Sequence, residues 1–309
     1  MSIDTAPQAG TSARPDPIKA VPVRHPGRWV AVGVIAVLVA MFVNSLFTNP
    51  NWDWGFQLSN AFSAPVLRGV WVTIWLTIAA MVMGVLLGIV LSIMRLSPNP
   101  VLSSAAWLYI WVFRGTPVLV QLVIWAQLGS LYRNISLGVP FGPAWFSFET
   151  RNLIPNVGAA LLGLGLNEAA YMSEIIRAGI LSVDEGQSEA ASALSLSRMQ
   201  TLRRIVLPQA MRVVVPPTGN ETISMLKTTS LVAYVPYYEL FFQTQAIGSR
   251  TFQVFPMLIT ASLWYLAMTS VLMVGQYYIE RYYARGSVRT LPLTPIQRLR
   301  VRLTKAELR

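Results

Sequence analysis

Long apolar runs, nearly free of charge, constrain this chain more than any other feature. They cover about 29–47, 69–94, Pro117 to Tyr132, 154–181, 213–242 and 256–279. A helix needs roughly 20 apolar residues to cross a bilayer. No water is available there, so backbone groups must be satisfied internally, which leaves helices or a closed barrel. The runs do not alternate, so they read as helices. Only 12% of residues are charged, against about 25% in soluble domains. The expectation is an all-α polytopic membrane protein with six transmembrane helices, retaining its first apolar run as a span.

Composition removes several function classes. There are no cysteines and one histidine, His25, so thiol chemistry and a His-based metal or acid–base centre in the membrane are not expected. The net charge of +11 fits topology better than nucleic acid, for which no base-reading pattern exists. Arg14, Lys19, Arg24 and Arg28 lie before the first run. Arg198, Arg203, Arg204 and Arg212 lie between the fourth and fifth. Residues 280–309 hold eight Lys or Arg and two Glu. Six spans put all three groups on one side, which the positive-inside rule makes cytoplasmic. Residues 1–28, rich in proline, read as a disordered cytoplasmic tail, and 283–309 as a basic one. Residues 101–113 read as an interfacial helix and 133–152 as a loop. Trp52, Trp54, Phe56, Trp145 and Phe146 read as an aromatic belt in contact with membrane lipid.

One polar, helix-prone segment interrupts this pattern: EGQSEAASALSLSRMQTLRRIVLPQA, residues 185–210. Gly186 can end the preceding helix. Ser188 can cap a new one, with Glu189 near its positive end. Ala190, Ala191 and Ala193 allow a partner to approach closely, while Leu194, Met199 and Leu202 offer apolar contact. Pro208 stops the pattern. The segment is either a projection that docks a partner or an amphipathic helix on the membrane surface.

Other residues stand out against the apolar background. Glu168 sits near mid-span, where a charge is costly and faces a cavity or partner, and is a candidate for the substrate path. Glu174 and Arg177, three apart, can pair. The fifth run carries Asn220, Glu221, Thr222, Ser224, Lys227, Thr228, Thr229 and Ser230, read as a hydrophilic pathway over interhelical bonding. Ser224 to Lys227 matches S-x-x-K by chance, its companion motifs being absent. Arg114-Gly115-Thr116-Pro117 is either an elbow or a plain helix start with Pro117 in the first turn, and the plain start is the favoured reading. Gly84-x-x-x-Gly88 signals close packing, within the subunit or across a dimer.

Five blocks in order carry a family resemblance: FRGTPVLVQL (113–122), AAYMSEIIRAGI (169–180), GQSEAA (186–191), IVLPQA (205–210) and KTTSLV (227–232). Together they resemble the permease subunits of binding-protein-dependent ABC importers for polar amino acids, over about 66–285. The resemblance implies the type I importer permease fold, a five-helix core at 66–282 plus one extra N-terminal helix at 29–47. It implies that 185–210 is a coupling loop, with Glu185, Gly186, Glu189, Ala190 and Ala191 at the docking surface and Leu207 and Pro208 at its end. The family has glycine where Ser195 stands, so the turn there is expected to differ. It places Arg114, Pro117, Glu174 and Arg177 in gating or structural roles. Implied partners are an ATP-binding subunit dimer, an extracytoplasmic solute-binding protein and a second permease subunit, as homodimer or heterodimer. No G-x-x-x-x-G-K-[ST] is present, so ATP and Mg are expected on the partner, with no cofactor here. The competing expectation is a stand-alone secondary transporter or channel.

Overall fold

The structure, a computed structural model, describes residues 26–139 and 142–283. The two tails expected at 1–28 and 283–309 therefore lie almost wholly outside the described residues. The chain divides into two units at Trp52/Asp53. The first holds helix α1 (Pro26–Thr48) and a 3₁₀ turn at Pro50–Trp52. No charged residue follows Arg28 in α1, as a lipid-facing helix requires.

The second unit begins with α2 (Trp54–Ala61), capped by Asp53, whose carboxylate accepts from the Phe56 amide. Then come α3 (Ala64–Leu96), α4 (Pro100–Gly115), α5 (Val118–Leu131), strands β1 (Asn134–Gly138) and β2 (Ala144–Glu149), α6 (Thr150–Leu153) and α7 (Asn156–Leu181). The chain continues through α8 (Glu185–Ala193), α9 (Arg198–Thr201), a π-helical turn (Leu202–Val206), α10 (Leu207–Thr228), a 3₁₀ segment (Thr229–Tyr234), α11 (Leu240–Thr251) and α12 (Val254–Tyr283).

The centre of this unit is the α3–α7 pair, and glycine sets its closeness. A Cβ on Gly84 would lie 2.5 Å from Glu168 Cγ, and one on Gly88 would lie 2.7 Å from Met172 Cβ. The Gly84/Gly88 motif is thus used for packing inside the subunit. Position 83 faces 165, 84 faces 168 and 88 faces 172, so α3 and α7 run parallel. Parallel neighbours require a return crossing between them, which α4 and α5 supply. Leu76, Ala80 and Met81 of α3 pack with Leu122 of α5 and Leu164 and Met172 of α7 in the main core. Helix α10 runs antiparallel to both flanking helices, with Gly179 against Val214 and Gly219 against Gln276. The C-terminal ends of α3, α7 and α12 therefore gather at one end with the 185–206 segment.

Three helices are long and apolar enough to cross a membrane: Gly27–Thr48, Ala64–Leu96 and Val254–Tyr283. The α4–α5 pair, bent by 102°, makes a fourth if taken as one broken span. Helices α7 and α10 have the length, at 26 and 22 residues, but are too polar to qualify. Much of α7 is buried, so its polar groups face protein rather than lipid. Apolarity and length alone thus do not return six spans.

Two expectations need correction. Residues 133–152 are no plain loop: β1 and β2 pair antiparallel, with Ile135 opposite Phe148 and a Ser136–Ser147 hydroxyl bond. β-branched and aromatic residues opposite one another favour that pairing. The fifth run is no continuous span either. It breaks after Thr228, and α11 starts anew at Leu240, because the Glu239 carboxylate caps its first amides.

Candidate functional site

The polar segment folds as two short helices. Asp184, not Ser188, caps α8, its carboxylate accepting from the Gly186 amide at 2.9 Å. Gly186 accordingly lies inside the first turn of α8, and the preceding helix has already closed on Ser182. Glu185, Glu189 and Ala190 are exposed. Ala191 is only 1% exposed, so it is a packing position of the loop and not part of an outer face. Leu194 and Met199 are 75% and 69% exposed and form the apolar part of that face.

Ser195 resolves the question its substitution raised. Its φ is 57°, the left-handed conformation that glycine takes most easily. The Ser195 amide donates to the Ser192 carbonyl at 2.9 Å, and the Leu196 amide to the Ala191 carbonyl at 3.1 Å. Those two bonds define a Schellman stop, with Ser195 at the position glycine usually fills. Serine thus takes a turn that glycine favours, at roughly 1 kcal/mol of strain. A capping box follows, between Ser197 and Gln200. Leu207 opens α10, with Pro208 in its first turn, where the missing N–H costs no helix bond.

Residues 113–117 form an elbow, contrary to the plain helix start favoured from sequence. α4 ends at Gly115 and α5 starts after Pro117 at 102° to it. The freed carbonyls are satisfied by two side chains that sequence reading passed over. The Gln121 amide donates to the Phe113 and Thr116 carbonyls at 2.9 and 3.1 Å and to the Thr116 hydroxyl at 2.7 Å. The Asn167 amide donates to the Phe113 carbonyl at 2.8 Å. Their spacing to the motif gives no hint, since Asn167 arrives from α7. Arg114 lies 5.1 Å from the centre of the Tyr171 ring, a cation–π contact. Glu174 and Arg177 form an ion pair at 2.7 Å.

Glu168 is the most unusual side chain of the bundle. It is 4% exposed, and its Oε1 has no hydrogen-bond partner among the described residues. Buried polar atoms in native proteins are nearly always bonded. Glu221 of α10 is close enough for its charge to act on Glu168, and Arg114 acts on Glu221. Two carboxylates, one on α7 and one on α10, are thus near enough to act on each other. That arrangement suits a cation.

The polar residues of the fifth run separate into two sets. Asn220, Ser224 and Lys227 are exposed and, at spacings of four and three, share one face of α10. The hydroxyls of Thr222, Thr228, Thr229 and Ser230 bond instead to carbonyls of α10 three or four residues earlier. Their donors are thus satisfied by the helix backbone, as hydroxyls in apolar helices commonly are.

A second buried carboxylate was not singled out by sequence. Glu239 is 0% exposed and accepts from the amides of Phe241 and Phe242 and from the hydroxyls of Tyr265 and Thr73. It ties α3, α11 and α12 together, and both of its oxygens accept bonds from the protein.

Comparison with known proteins follows the same lines. Residues 84–285 match the family described as binding-protein-dependent transport system inner membrane component. The chain is 50% identical over 291 residues to the arginine transport system permease protein ArgU of Corynebacterium glutamicum, covering 94% of this chain and 90% of that one. It is 37% identical over 247 residues to the L-cystine transport system permease protein TcyB of Bacillus subtilis, covering 78% and 97%. A crystal structure of an amino acid ABC transporter with histidines aligns at TM-score 0.60 and 33% identity, covering 71% of this chain and 94% of that one. A subunit of the MetNI methionine ABC transporter shares the fold at TM-score 0.58 and 18% identity, covering 73% and 99%. The stand-alone transporter or channel is thereby set aside. With its type I importer fold, the chain belongs to the inner membrane components of binding-protein-dependent ABC transport systems.

Proposed function

We propose that this chain lines the route by which an ABC importer brings a polar amino acid, foremost one with a cationic side chain, into the cytoplasm. The observation that carries the substrate reading is Glu168, buried with an unpaired oxygen and within reach of the charge of Glu221. Two carboxylates in a low-dielectric interior favour a guanidinium or ammonium group over an anion. Asn220, Ser224 and Lys227 add an exposed polar face on the same helix. The arginine permease among the relatives supports the same class.

ATP and Mg belong to a separate ATP-binding subunit, two copies of which dock on 185–208 of two permease subunits. Exposed Glu189, Ala190, Leu194 and Met199 supply the contact. Orientation follows from the ends of the helices. Arg95, Arg177, Arg198, Arg203, Arg204, Arg212 and Arg281 gather where α3, α7 and α12 terminate, and this richly basic end is cytoplasmic. A solute-binding protein delivers substrate at the opposite end.

The test is arginine uptake by proteoliposomes holding the assembled transporter and its binding protein. Glu168→Gln keeps the shape and removes the charge. Uptake falling at least tenfold, with basal ATP hydrolysis retained, is expected, since an unpaired buried charge pair costs several kcal/mol. Unchanged uptake would remove Glu168 from the path.

A further inference from the structure

A second charged cavity, which Glu168 does not line, runs from the α4–α5 elbow toward the end of the bundle where α3 terminates. It is an open cleft of about 500 Å³ bordered by α3, α4 and α7, and three arginines line it against one glutamate. Arg177 is paired with Glu174. Arg95 donates only to a neutral group, the Ser103 hydroxyl at 3.0 Å. Arg114 lies on the Tyr171 ring and forms no ion pair, though Glu221 acts on it from α10. Two arginine charges in the cleft therefore lack a bonded carboxylate among the described residues. A position where a 33-residue span ends is at the membrane boundary, since such a helix exceeds the roughly 20 residues that cross the hydrocarbon.

The neighbouring surface says which anion fits. Trp107 and Trp111 line the cleft, stacked at 6.2 Å, and both are exposed. Val101, Leu108 and Val112 on α4 are exposed as well. Tryptophan concentrates at headgroup level, and basic pockets between helices at a membrane face take anionic headgroups. A free phosphate would use the arginines and leave the apolar face idle. A phospholipid uses both.

We propose that this cleft binds the phosphate of an anionic phospholipid, with Arg95 and Arg114 on the headgroup and the exposed face of α4 along the acyl chains. The site steadies the α4–α5 elbow, since Arg114 is one of its residues. It does not depend on the substrate assigned above or on which end of the bundle is cytoplasmic.

The experiment is native mass spectrometry of the full chain, purified in detergent with phosphatidylglycerol or with phosphatidylcholine. Retained phosphatidylglycerol in excess over phosphatidylcholine is expected. Arg95→Gln with Arg114→Gln should weaken retention about thirtyfold, from about 1 kcal/mol for each arginine near an anionic surface at 1.4 kcal/mol per tenfold. Arg250→Gln, an exposed arginine on α11, should leave it unchanged. Arg95→Gln alone, which loses only the bond to Ser103, should lower retention about fivefold and guards against a misfolded double variant. Glycerol phosphate added at millimolar level to the wild-type chain separates the sources. Displacement of the lipid by this soluble headgroup would show a site for free phosphates and overturn the lipid assignment. Equal retention of the two lipids, or retention indifferent to Arg95 and Arg114, would overturn the site.

Discussion

Gly84 and Glu168 meet so closely that a methyl group on the glycine would stand 2.5 Å from the Glu168 Cγ. The buried carboxylate and the tightest point of the α3–α7 contact are therefore one feature. Gly84→Ala should destabilise the chain by about 1–3 kcal/mol through overpacking. Combining it with Glu168→Ala should recover part of that loss, because the Cγ clash is removed while the Glu168 Cβ, 2.8 Å away, remains. Thermal unfolding of the purified chain in detergent, compared across the four variants, measures the coupling. Additive losses would place the clash elsewhere.

Ser195 gives a second test. Its positive φ is costly for serine and far worse for a β-branched residue. Ser195→Gly should leave stability within about 0.5 kcal/mol, strain relief offsetting the added freedom of the unfolded chain. Ser195→Val should cost about 2 kcal/mol. Limited proteolysis between residues 185 and 200 should be faster only in the valine variant.

The elbow depends on Gln121. Its amide donates to the Phe113 and Thr116 carbonyls and to the Thr116 hydroxyl, and no other single side chain holds α4 to α5 by so many bonds among the described residues. Gln121→Met keeps the volume and deletes the donors. A loss of about 1–2 kcal/mol is expected, since the Phe113 carbonyl keeps its bond from Asn167 and the elbow loses the bonds to Thr116. Equilibrium unfolding by denaturant titration checks it, and a midpoint equal to wild type would refute the role.

At Glu239 the order of variants is informative. Tyr265→Phe removes one of four bonds and should cost about 1 kcal/mol. Glu239→Ala removes the α11 cap and orphans two hydroxyls, for about 3 kcal/mol. Glu239→Gln should fall between them, since one oxygen still accepts. Melting temperatures of the three variants give the ranking.

Sequence reading reached the fold through α1, α3 and α12, where apolarity and length act together and nothing else competes. It placed α7 by the same means, although the polar groups there answer to protein neighbours. It lost the break after Thr228, because the cap that restarts the helix is Glu239, whose partners Thr73 and Tyr265 are 166 and 26 residues away. The elbow was legible as a motif but not as a bend, for the same reason: Asn167 comes from α7. Ser195 was identified from the motif, yet its turn is decided by backbone bonds that no side-chain identity reveals. The exposed Leu194 was visible from sequence. The burial of Ala191 beside it was not, since small residues suit a docking face and a packed one equally.

The most direct measurement is ATP-driven arginine uptake in proteoliposomes containing the permease subunits, with and without the ATP-binding subunits, compared with Leu194→Asp. Uptake should require the ATP-binding subunits and fall about tenfold or more in Leu194→Asp, whose new charge lies on the exposed face of 185–206. Undiminished uptake by the permease subunits alone, or by Leu194→Asp with its ATP-binding subunits, would contradict a transporter driven through that loop.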